Sequence, residues 1–170
     1  MNKRKYLKAL ETLVYLAGKE QRSYWVLKMI YFADKEHLRK YGRQIFGDRY
    51  IAMKLGPVPS LAYDIVKTAQ GVNNWLSSEE PSPTSALDAP NNKILKQRRK
   101  ANLSLLSKTD IECLDYAYKL LNPLSLTQIH EKSSDKAYHA ADENDEMNLE
   151  NIVVDTLDNG AEVWDYLKGR

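Results

Sequence analysis

Apolar side chains recur at three- and four-residue steps at Tyr6, Leu7, Leu10, Leu13, Val14 and Ala17. This is the period of a helix with one buried stripe, and Gly18 follows where a helix end favours a residue able to take positive φ. Ser23 then leads into a longer helical stretch over residues 24–41. Its apolar positions Leu27, Ile30, Tyr31, Leu38 and Tyr41 make it the expected centre of the core, and Gly42 closes it. After the Gly47-Asp48 turn signal the pattern changes, and residues 49–54 are short and apolar enough for a strand. Gly56-Pro57-Val58-Pro59 reads as a rigid extended turn that stops the strand, because each proline fixes φ and biases the residue before it away from helix. Pro59 then suits the first turn of a helix through Leu61, Ile65 and Val66.

Residues 77–92 hold four Ser, three Pro and two Asn without a periodic apolar face, and read as a flexible loop inside one domain. Residues 93–99 and 102–106 are two short strand candidates. Ser107 places a hydroxyl cap, and Asp110 an acid, at the start of a further helix marked by Ile111, Leu114, Tyr118 and Leu121. Residues 126–132, 149–157 and 163–167 complete the helical set. The expected fold is α+β and predominantly helical: a single compact domain over residues 1–170, with six to seven helices and a small antiparallel β-sheet or hairpin.

The chain's length of 170 residues and its 43% hydrophobic content suffice for one core. No apolar run approaches the roughly 18–20 residues needed to cross a bilayer, and the first residues lack the apolar segment of a signal peptide, so the expected compartment is the cytoplasm. The lone Cys113 excludes an internal disulfide and multi-thiolate zinc, and at a helical apolar position it reads as core packing. The net charge of +2 conceals an asymmetry: residues 1–60 carry 13 Lys/Arg against 5 Asp/Glu, and residues 110–170 carry 5 against 14. Either the halves neutralise one another on packing, or the front presents a basic face to an acidic partner or nucleic acid.

Catalytic signatures are absent. There is no Gly-rich nucleotide loop, no nucleophile elbow and no His-Glu-x-x-His, and the three histidines have no metal-ligand spacing, so no catalytic residue, cofactor or metal is assigned. Asp34 and His37 lie three apart on the second helix and share a side. They read as a structural polar cluster with Arg43 or Arg49 rather than as an acid–base pair. The acidic run 142–146 lacks calcium-loop spacing and reads as a solvated loop. The Arg98-Arg99-Lys100 run lacks aromatic interleaving, which argues against nucleic acid as a partner.

Three blocks carry a resemblance to a known family: Lys28-Met29-Ile30-Tyr31-Phe32-Ala33-Asp34 with His37-Leu38 and Tyr41-Gly42; Gly47 to Lys54 with Gly56-Pro57-Val58-Pro59-Ser60; and Tyr63-Asp64. Leu106-Ser107 with Asp110 and Leu114-Asp115, and Asn144-Asp145-Glu146 with Leu149-Glu150 and Ile152, extend it over most of residues 5–155. The chain resembles the Panacea antitoxin domain, also met as the SocA-like, phage-associated domain, although Tyr138 stands where such domains commonly have Trp. The resemblance implies a non-catalytic antitoxin of a type II toxin–antitoxin pair, which neutralises a toxin encoded nearby by binding it. In some relatives the antitoxin also presents the toxin to a protease. A DNA-binding regulator or proteolytic adaptor of phage origin is the alternative. The expected partner-binding residues are Asp48, Arg49, Tyr50, Met53, Lys54, Pro57 and Pro59, which combine a strand edge, rigid apolar groups and cations.

Overall fold

The computed structural model describes residues 1–169. In chain order these form α1 (Lys3–Ala17), α2 (Ser23–Tyr41), β1 (Tyr50–Met53), β2 (Gly56–Pro59), α3 (Ser60–Gln70), α4 (Pro83–Ala86), β3 (Leu87–Asn91), β4 (Ile94–Gln97), α5 (Lys108–Leu121), α6 (Leu126–Ser133), α7 (Lys136–His139), α8 (Leu149–Thr156) and α9 (Gly160–Lys168). Among the described residues, seven helices have eight residues or more, and α4 and α7 are single turns. The fold is α+β and predominantly helical, with two antiparallel two-stranded sheets where one was expected. No helix among the described residues is long and apolar enough to cross a membrane.

Helix α2 is the central element, as its periodicity predicts. Val26, Met29, Ile30, Tyr31, Ala33 and Leu38 are buried, and the helix lies against α5, α8 and β2. Gly42 ends it in the left-handed conformation at φ 69°, with its N–H returned to the Leu38 carbonyl. The Ser107/Asp110 capping box opens α5 as read from sequence. Gly18 differs from expectation, since its φ is −70°. A Cβ there would stand 2.5 Å from the amide end of the exposed Gln97 side chain, which can swing aside, so backbone conformation does not require glycine at this position.

Three assignments made from sequence are corrected. The Gly56–Pro59 segment is not a turn but β2, paired with β1 in the register Tyr50↔Pro59, Ile51↔Val58, Ala52↔Pro57 and Met53↔Gly56. Tyr50 and Ala52 direct their backbone groups away from β2, toward residues 144–147, so the β1–β2 ladder runs through Ile51, Met53, Val58 and Gly56. Both prolines therefore fall at positions where no N–H is needed. Residues 102–106 form a 3-10 turn at Leu103–Leu105 instead of a strand, because the Asn102 side chain accepts from Ser104 N–H and curls the chain.

The third correction concerns residues 77–92, which are not a structureless loop. They contain α4 and all of β3, and Pro83, Ala86, Leu87 and Ala89 are buried. The Tyr6 hydroxyl donates to the Pro81 carbonyl at 2.7 Å, and Arg98 N–H bonds the Ala86 carbonyl at 2.8 Å. The β3–β4 hairpin is tied in turn to the α1–α2 connection through Leu95 N–H to Gln21 O and Ser23 N–H to Lys93 O. Leu87 is fully buried. Leu87→Ala is therefore expected to cost about 2–3 kcal/mol through lost burial and the cavity left behind. Urea unfolding checks this, and a loss near zero would return the segment to the status of a dispensable loop.

The charge asymmetry resolves by mutual neutralisation. Lys8 and Arg43 pair with Asp110, Lys19 with Asp115, Lys35 with Asp135, Lys40 with Glu112 and Arg49 with Glu146, each joining the basic front to the acidic back. Arg98 and Arg99 pair with Asp88 and Glu11, which neutralises much of the basic run around them.

Candidate partner-binding surface

The β1–β2 hairpin is fixed from below by buried carboxylates. Asp34, fully buried on α2, accepts Ile45 N–H at 2.8 Å, Tyr50 O–H at 2.6 Å and the Gln44 amide at 3.3 Å. Burial pushes its carboxyl up to about 6, against the pull of the Ile45 and Tyr50 hydrogen bonds. Asp48, 5% exposed, accepts Arg49 N–H, Leu61 N–H and Ala62 N–H at 2.8–3.1 Å. It thereby caps α3, whose own N-cap residue, Pro59, has no side-chain hydrogen bond to offer.

The expected Asp34–His37–Arg43 cluster divides in two. Among the described residues, Asp34 pairs with no cation. His37 Nδ1 donates to the Arg43 carbonyl at 2.9 Å, and its Nε2 lies 2.9 Å from Thr109 Oγ1 and 3.3 Å from Asp110 Oδ1. Arg43 and Lys8 reach the same carboxylate at 3.1 and 2.7 Å. Burial alone would raise Asp110, but hydrogen bonds from His37, Lys8 and the Ser107 N–H hold it well below the usual carboxylate range. Asp110, the hub of this second network, was legible in the sequence only as a capping acid.

The strand edge expected to receive a partner is already covered. Asn144 N–H bonds Ala52 O at 2.7 Å, Ala52 N–H bonds Asp145 O at 2.9 Å, and Met147 N–H bonds Tyr50 O at 2.7 Å. The acidic run 142–146 is thus not merely solvated; its backbone runs along β1. At the far side of the hairpin, Lys28 donates to the Pro57 carbonyl at 2.6 Å, and the Tyr138 hydroxyl to the Met53 carbonyl at 2.6 Å.

Four of the seven expected contact residues are consequently inside. Asp48, Tyr50, Pro57 and Pro59 are buried, since strand alternation sends Tyr50 and both prolines inward. Arg49 and Lys54 are exposed and Met53 half-buried. The outward set of the hairpin is Ile51, Met53 and Val58, flanked by Arg49, Lys54 and Leu55, with Leu55 44% exposed. Ile51 and Val58 were missed, and the signal that finds them is the period of two read across both strands. Beside the tip lies an open groove of about 600 Å³, lined among others by Lys54, His130, Tyr138 and His139. Cys113 is fully buried, and burial pushes its thiol up to about 12, which suits packing.

An inward-locked hairpin with an apolar, cationic outer face, carried by a helical domain, defines a scaffold that presents a small rigid surface. A family model described as antitoxin SocA-like, Panacea domain, matches residues 26–139, and the chain belongs to that family. No curated protein and no solved structure matches it.

Proposed function

We propose that this protein is the antitoxin of a type II toxin–antitoxin pair and acts without catalysis, by binding a protein toxin encoded nearby through the outer face of the β1–β2 hairpin. The observation that carries this reading is the alignment of Ile51, Met53 and Val58 between the exposed cations Arg49 and Lys54, on a hairpin held at its inner face and along β1. Such a surface is pre-organised, so little ordering entropy opposes association, and apolar side chains at its centre with charges at its rim match the anatomy of specific interfaces. The cations select for a toxin with an acidic patch.

The test is Arg49→Glu/Lys54→Glu, co-expressed with the product of the adjacent reading frame. Both side chains are exposed, so unfolding free energy should change by no more than about 1 kcal/mol. Like charges across the interface should weaken binding by about 100-fold and abolish growth rescue. A folded double variant that rescues fully would move the interface elsewhere. Binding that collapses steeply with added salt would favour a phosphate-binding regulator instead.

A further inference from the structure

A second cleft, of about 620 Å³, opens between the start of α1, the connection after α2 and the 3-10 turn before α5. Arg4, Lys5, Lys8 and Arg43 ring it, and the buried Ile45, Phe46 and Leu106 form its floor. Lys8 and Arg43 are engaged by Asp110 beneath them. Arg4 makes no hydrogen bond or ion pair among the described residues, and the Lys5 ammonium makes none either, although its charge acts on the buried Asp48. Four cations therefore converge over two buried carboxylates, Asp110 and Asp48, and the cleft retains positive charge.

The first turn of α1 brings no acid to the cleft, and its N-terminus is capped by the Asn2 side chain, which accepts Lys5 N–H. The Ser104 and Ser107 hydroxyls at the rim are engaged by Asn102 and by the α5 cap. Cations with unused donors above an apolar floor are the complement of an organic phosphate. The confined volume suits a small molecule and not a nucleic-acid duplex. Nor is there a continuous cationic stripe among the described residues, because Arg98 and Arg99 are paired with Asp88 and Glu11.

We infer that this cleft binds a small phosphorylated ligand of nucleotide size, with its phosphates on Arg4, Lys5 and Arg43 and its organic part over Ile45, Phe46 and Leu106. The site lies on different elements from the β1–β2 hairpin and stands independently of the toxin-binding reading.

Isothermal titration with ATP, pyrophosphate and inorganic phosphate at physiological salt tests it, with thermal unfolding as a second readout. ATP is expected to bind more tightly than inorganic phosphate and to raise Tm in proportion to its excess over Kd. Arg4→Gln/Lys5→Gln should weaken ATP by about 10-fold or more while leaving Tm of the free protein unchanged, since neither side chain makes a bond that holds the fold. Lys96→Gln/Lys100→Gln, which removes equal charge outside the cleft, should leave ATP affinity intact. The inference is overturned if none of the three probes binds, or if binding is indifferent to Arg4→Gln/Lys5→Gln. It is equally overturned if a duplex oligonucleotide or an oligoglutamate peptide binds more tightly than ATP through the same two residues.

Discussion

Asp34→Ala is expected to destabilise the protein by about 3–5 kcal/mol at pH 7, because it strands the buried Ile45 N–H and Tyr50 O–H together, each costing about 1–3 kcal/mol when left unpaired. Asp34→Asn should cost less, since the amide oxygen still accepts one of these donors. The pH dependence sets this carboxylate apart from Asp110. Its folded pKa is raised from 3.8 to about 6, so the native state binds the extra proton between those values. The stability it contributes is fully present below about 3.8 and is lost as pH rises through about 6, by about 3 kcal/mol in all. Asp110 runs the other way. Its folded pKa is depressed, so its contribution is present above 3.8 and disappears as pH falls below that. Urea unfolding of wild type and Asp34→Asn at pH 4, 5, 6 and 7 isolates the Asp34 component. An Asp34→Ala variant as stable as wild type, yet unable to bind its partner, would reassign the residue from the fold to the site.

The two carboxylates also show where the sequence was informative. Helical periodicity marked α1, α2 and α5 because their apolar stripes are long, and a capping box is a local signal that needs no tertiary information. A strand of four residues carries too few positions for its period to stand out, and two prolines made Gly56–Pro59 look like a stop. Only the backbone register of Tyr50 and Ala52 reveals that the prolines sit where no donor is needed. In β3 the buried positions are Leu87 and Ala89, two side chains in a Ser- and Pro-rich stretch, and composition averaged over the segment hid them. Inward and outward faces of the hairpin depended on the same register. Tyr50 and both prolines were expected on the partner surface with Arg49, Met53 and Lys54, and only the last three are accessible, because a slip of one residue exchanges every face. The closure of β1 by residues 144–147 joins positions about 90 residues apart, and no local pattern encodes that pairing.

Lys28 was visible only as one letter of a family motif, yet it supports the strongest remaining prediction. A charge set within Val26-Leu27-Lys28-Met29-Ile30, apolar on both sides, is a signal for an unusual environment. In the structure it is 1% exposed and donates to the Pro57 carbonyl, with the Tyr24 ring 4.9 Å away and no ion pair among the described residues. Burial without a carboxylate pushes its amine down to about 7. The unfolded chain therefore binds one proton more than the native state between about 7 and 10.5, and stability must rise with pH across that window. Above pH 9 other groups reverse the trend. Cys113 and the half-buried Tyr24 have folded pKa values raised to about 12, so stability falls as these groups ionise in the unfolded chain. The clean interval is pH 6 to 9, over which Lys28 should add about 2–3 kcal/mol to the unfolding free energy. Lys28→Met, which fills the same apolar slot without the amine, should flatten the profile and be more stable than wild type at pH 6, where the buried charge costs most. Equal slopes in the two proteins, measured by urea unfolding at each pH, would show that Lys28 is solvated and that β2 is less tightly seated on α2 than its hydrogen bond to Pro57 indicates.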